Sequence, residues 1–129
     1  MAIAANQLIT KTDGTLRPGL AAAEHLYQGQ ITFIDASGYH SSTKSVVLGG
    51  ILRGEVDNST GSAGDKAVEV LRGVCVELNG TGLTQASVGA TAYASDNDTI
   101  SDTDGGTDCP VGEIVSVISA TRALVAVKN

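Results

Sequence analysis

Residues 56 to 78 read VDNSTGSAGDKAVEVLRGVCVEL, a polar glycine-rich loop that runs straight into the most regular apolar alternation in the chain. The loop residues Asn58, Ser59, Thr60, Gly61, Ser62, Ala63 and Gly64 offer almost nothing to bury. From Ala67 the pattern changes. Val68, Val70, Val74, Val76 and Leu78 share one parity and therefore one face of an extended strand, while Glu69 and Glu77 fall on the other. Arg72 breaks the apolar face, and Gly73 beside it is a natural place for a bulge. The stretch predicts a long strand forming the central wall of an all-β domain. Nothing in it is catalytic.

Upstream, Tyr27 to Asp35 (YQGQITFID) places Ile31 and Phe33 on one side of a strand, and Asp35-Ala36-Ser37-Gly38 reads as a turn. Val46 to Leu52 is a nearly continuous apolar run broken by Gly49 and Gly50, which suits a strand buried on both faces or bent at the glycines. Downstream, Asn79-Gly80-Thr81-Gly82 is a turn. Thr84 is placed to cap one short helix through Gln85 to Val88, stopped by Gly89. Thr91 to Ala94 forms a short strand. Asp96 to Asp108 is a polar hairpin region around Ile100. Pro110 to Ser119 and Ala123 to Val127 are two further strands joined by a tight turn. Cys75 reads as a small buried residue of the long strand and Cys109 as a loop residue, with a bridge between them left open.

Residues 1–25 differ. Ile3, Leu8, Ile9, Leu16 and Leu20 are spaced by small and polar residues, with Gly14, Pro18 and Gly19 as breakers. Aliphatic residues scattered through a breaker-rich segment predict an extended N-terminal arm that orders on a partner surface, leaving 26–129 as a single β domain.

Composition limits what such a domain does. The chain has 129 residues and a formal net charge of −6, with 14 Asp and Glu against 8 Lys and Arg. That balance lacks the electrostatic footprint of nucleic-acid binding. Aromatic residues make up only 3% of the chain, so the core must be built from Val, Ile, Leu and Ala. A lean core argues for oligomerisation, because a partner surface adds the missing burial. No stretch has the length of a membrane span, and no basic segment precedes an apolar run as in a secretory signal. The Asn-x-Ser/Thr triplets at Asn58, Asn79 and Asn97 are read as chance.

The sequence shows no catalytic or metal-binding constellation. His25 and His40 are the only imidazoles, and neither has a ligand partner at metal-binding spacing. Ser41-Ser42-Thr43-Lys44 fits the Ser-x-x-Lys pattern, but the Ser-Asp-Asn and Lys-Thr-Gly partners are missing. Asp96, Asp98, Asp102, Asp104 and Asp108 carry oxygens suited to a hard cation, yet they lack the ordered spacing and closing Glu of an EF-hand. They read as turn-forming residues of a solvated loop. The expectation is a non-enzymatic protein with no metal and no cofactor.

The order of segments, VDNSTGSAGDK with VEVLRGVCVEL, then LTQASVGATAYASDNDTI, then PVGEIVSVI and ALVAV, resembles a family of small tailed-bacteriophage head proteins, the capsid decoration or cement proteins. The resemblance runs from about Leu26 to Val127. Its most specific pieces are Val56-Asp57-Asn58-Ser59 with Gly64-Asp65, Val68-Glu69-Val70 with Arg72-Gly73-Val74, and Leu83-Thr84 with Val88-Gly89. It implies a small β-barrel or β-sandwich-like domain with one short helix, commonly a homotrimer. Such a protein sits on the exterior of the virion and clamps neighbouring major capsid subunits, with no nucleic-acid or membrane partner. It is made in the host cytoplasm. The arm is expected to grip the capsid through Leu8, Ile9 and Leu16, with Arg17 available for carboxylates. The alternative is a head-fibre or tail-associated module that binds a host-surface glycan, for which the scarcity of aromatic platforms is a weakness.

Overall fold

The computed structural model describes residues 16–129 and is all-β. In chain order its strands are β1 (Leu16–Leu20), β2 (His25–Leu26), β3 (Ile31–Ile34), β4 (His40–Ser41), β5 (Leu48–Arg53), β6 (Val56–Asp57), β7 (Ala67–Leu71), β8 (Cys75–Asn79), β9 (Thr91–Asp96), β10 (Thr99–Ser101), β11 (Cys109–Ser119) and β12 (Arg122–Val127). The expected short helix is one 3-10 turn, Gln85–Ser87. One five-stranded sheet has the order β1-β7-β5-β3-β4 and another the order β10-β9-β11-β12-β8, while β2 and β6 form a two-stranded ribbon. Neither large sheet closes into a barrel. The residues just after β1 and β8 meet the opposite end strand through isolated bridges, Ala21 to His40 and Gly80 to Ile100, without forming a ladder.

The two large sheets share the principal core. Ile31, Phe33, Leu48 and Ile51 of the first meet Ala94, Val111, Ile114 and Val125 of the second. Each such Val, Leu, Ile or Phe side chain removed from water contributes about 1.5–3 kcal/mol. Ala21, Leu26, Leu52, Val68 and Val70 form a second, smaller core, with Val56 packed against it. Consecutive residues of β5 thus serve different cores, Ile51 one and Leu52 the other, as the strand's period of two requires. That is the physical meaning of the nearly continuous apolar run at Val46–Leu52, although Val46 and Val47 themselves are exposed.

The stretch expected to be one long strand is two. β7 and β8 lie in different sheets, and the chain changes sheet at Arg72–Val74. Gly73, with φ of +72°, supplies the left-handed step that L side chains resist. Its N–H donates to the Val127 carbonyl at 3.0 Å, and Arg72 Nη1 donates to the Leu48 carbonyl at 3.1 Å. Val68 and Val70 consequently enter the smaller core, while Leu78 enters the principal one. Cys75 is exposed rather than buried, and Cys109 is a buried residue of β11 rather than a loop residue. Both thiols are free.

The second half of the expected arm is also corrected. Leu16 to Leu20 pair in register with β7, from Leu16–Leu71 to Leu20–Ala67, and Ala21 is fully buried. Pro18 is tolerated because β1 is an edge strand, where a missing N–H removes no obligatory ladder bond. Gly19 is a clearance for His40: a β-carbon there would stand 2.4 Å from Nε2 of that ring. Residues that read as breakers are thus fitted to their neighbours.

The loop between β6 and β7 buries more than its composition suggests. Asn58 is 1% exposed. Its Nδ2 donates to the carbonyls of Ala22 (3.0 Å) and Ser62 (2.9 Å), and its backbone N–H donates to the Glu24 carbonyl at 2.9 Å. One carboxamide therefore stitches the loop over the smaller core, replacing bonds the buried backbone would otherwise lose.

Candidate functional site

Of the four residues expected to touch a capsid, Leu8 and Ile9 lie outside the described residues. Leu16 and Arg17 are both half-buried in β1, opposite Leu71 and Val70. The Arg17 guanidinium donates to the Asn129 side-chain oxygen, which ties the start of β1 to the last residue of the chain. These two residues hold the sheet edge together, and any role as anchors adds to that one.

The polar residues with chemical potential in the sequence are dispersed and already engaged. Lys44 does not turn toward Ser41. Its Nζ meets Asp108 Oδ1 at 2.5 Å, while the Ser41 hydroxyl donates to Glu24. Lys44, followed by the Gly105 N–H, holds the Asp108 carboxyl below the usual carboxylate range. The other aspartates of the 96–108 segment also accept bonds: Asp96 from the Asn97 N–H at 2.8 Å, Asp98 from the Thr99 hydroxyl at 2.9 Å, Asp104 from the Gly106 N–H at 2.9 Å, and Asp102 from the more distant Ser87 hydroxyl at 2.6 Å. The bond from Ser87, then that from Thr103, lowers the Asp102 pKa. Among the described residues no group of three or more His, Cys, Asp or Glu side chains gathers to hold a metal ion.

The two histidines have different surroundings. His40 is buried, with Nδ1 2.9 Å from Thr32 Oγ1; the Thr32 hydroxyl reaches the Gly50 carbonyl at 3.3 Å. Burial, then the charge of Arg72, pushes the His40 pKa down, with Asp35 opposing. His25 sits on the β2-β6 ribbon. Its Nε2 contacts the Glu55 carboxylate, its Nδ1 lies 3.7 Å from Asp57 Oδ2, and its ring stacks on Tyr27 with centroids 4.2 Å apart and planes 17° from parallel. The Ser59 hydroxyl and then its amide lower the Asp57 pKa.

Next to that stack is a cleft of about 450 Å³. One wall is the turn Tyr27–Ile31 between β2 and β3. The other comprises Glu77, Leu78 and Asn79 of β8, with Arg122 from β12 and the β9–β10 turn at Asn97 and Asp98. The walls are locked together by the Ile31 N–H donating to the Asn97 carbonyl at 2.7 Å. Arg122 is fixed by Nε donating to Glu77 Oε1 at 2.5 Å and Nη1 donating to Asn79 Oδ1 at 2.7 Å. Gln30 braces the turn by accepting from the Tyr27 N–H at 2.8 Å and donating to the Ser42 hydroxyl at 2.9 Å. Sequence reasoning missed this cleft, because its residues come from four separate segments with no shared spacing.

Comparison with protein-family models, with curated proteins and with solved structures returns no match to this chain.

Proposed function

We propose that this chain is a capsid decoration protein, a homotrimer that clamps neighbouring major capsid subunits on the outer surface of a tailed-phage head. The observation that carries the reading is β1. It is an edge strand: its end is met by β4 through the Ala21–His40 bridge, but Leu16 to Leu20 have no ladder partner on the outer side among the described residues, and the chain enters β1 from the segment containing Leu8 and Ile9. An open sheet edge continued by an aliphatic-dotted segment provides two ways of adding to a neighbouring subunit, backbone pairing and apolar burial. The acidic charge, the engaged polar side chains and the resemblance along Leu26 to Val127 agree with a binding role. Apolar surface buried at a seam stabilises by about 25 cal/mol per Å² before association costs are deducted. A small contact repeated over a shell therefore adds up.

Rebinding to heads stripped of the protein tests the proposal. The full chain is expected to saturate the heads. A variant lacking residues 1–15 should bind at least about tenfold more weakly while unfolding at the same temperature, because β1 is left intact. Equal occupancy by the two would remove Leu8 and Ile9 as anchors, and failure of the full chain to bind would remove the capsid partner.

A further inference from the structure

We propose that the cleft between the Tyr27–Ile31 turn and the β8 edge binds a neutral saccharide, with Tyr27 as stacking platform and Arg122, Asn79 and Asn97 reading its hydroxyls. The size fits first: about 450 Å³ falls within the roughly 300–1,000 Å³ of small-molecule sites. The lining fits next. Tyr27 is 57% exposed although one face of its ring rests on His25, so the other face is available to the C–H face of a pyranose. The stack on His25, itself held by Glu55, keeps the ring in place before any ligand arrives.

The polar groups match hydroxyls better than they match other ligands. A sugar presents adjacent O–H groups that each donate and accept; the Asn97 carboxamide can meet such a pair with two atoms at once, while Arg122 Nη2 and Asn79 Nδ2 each add a single donor. Arg122 spends Nε and Nη1 on Glu77 and Asn79, and Nη2 makes no bond among the described residues. Asn79 uses its oxygen on Arg122, and the Asn97 carboxamide has no side-chain bond among the described residues. These donors sit on a frame braced by the Ile31–Asn97 and Tyr27–Gln30 bonds, so little ordering is required on binding. The charge selects further: Glu77 and Asp98 outnumber Arg122 in the lining, which disfavours anionic sugars, phosphates and nucleic acid. The proposal is independent of how the protein is held on a head.

The test is a 15N-resolved NMR titration of the full chain with chitotriose and with maltotriose, using sialyllactose as the anionic control. Saturable shifts are expected with a neutral sugar, confined to residues 27–31, 77–79, 97–98 and 122, with weaker binding of sialyllactose. Tyr27→Ala and Asn97→Ala should each lower the affinity about tenfold or more while the spectra stay dispersed. The proposal is overturned if neither neutral sugar gives saturable shifts, if the shifts map elsewhere, if sialyllactose binds more tightly, or if both folded variants bind like the parent. It is equally overturned if the cleft resonances respond only to protein concentration, which would make the occupant a second copy of this chain.

Discussion

Gly19 lies directly against the imidazole of His40, so close that a β-carbon at position 19 would stand 2.4 Å from Nε2 and 2.6 Å from Cδ2. The contact brings the end of β1 to β4, where the Ala22 N–H donates to the His40 carbonyl at 2.9 Å. The edge strand and the strand at the far end of the same sheet thus meet around one buried ring. Gly19→Ala should therefore lower stability by about 1–3 kcal/mol, the usual cost of overpacking a filled site. Urea unfolding should show a lower midpoint with an unchanged slope.

The same ring gives the protein an acid sensitivity. Burial and the nearby Arg72 charge hold the His40 pKa below its ordinary value, so below about pH 6.5 the unfolded chain takes up a proton that the folded chain resists. His40's contribution to stability is complete above that pH and declines as the pH falls below it. An NMR titration of the His40 ring should give a midpoint below about 6.5, and unfolding free energy should begin to fall on acidification through the same range.

Lys44 and Asp108 join the β4–β5 loop to the loop before β11. The Asp108 carboxyl is held low, so its contribution is present above the ordinary aspartate pKa of about 3.9 and is lost as the pH falls toward the lowered folded value. Asp108→Asn should lower the melting temperature at pH 7. The gap between variant and parent should close as both are taken below about pH 4.

The thiols should divide cleanly. Cys75 is exposed in β8, whereas Cys109 is fully buried, and burial raises its pKa. A chromogenic disulfide reagent should titrate one thiol per folded chain and two in denaturant. Two in the folded state would mean that β11 opens.

Much of this framework was legible in the sequence where local chemistry is strong. Ile31 and Phe33 announce β3 by alternation, Asp35 to Gly38 announces a turn, and the apolar runs 110–119 and 123–127 announce the β11–β12 hairpin. The split of 67–78 was not legible, because Val68, Val70, Val76 and Leu78 keep one parity across a corner that sends them into different cores. Periodicity records which side a residue faces and not which sheet it joins. Strands of two residues, such as β2, β4 and β6, are too short to show a period at all. Pro18 and Gly19 misled for another reason: their fit depends on an edge and on a ring 21 positions away, and neither is visible locally. The cleft was hidden in the same way, since Tyr27, Asn97 and Arg122 meet only once the sheets have packed.

Adhesion to a capsid seam is the claim on which the functional reading stands, and heat release of packaged DNA from purified heads is its sharpest test. Heads carrying the full chain should retain their DNA to a higher temperature than heads lacking it, and adding purified protein back should restore the difference. Identical release curves with and without the protein, at confirmed full occupancy, would contradict the claim.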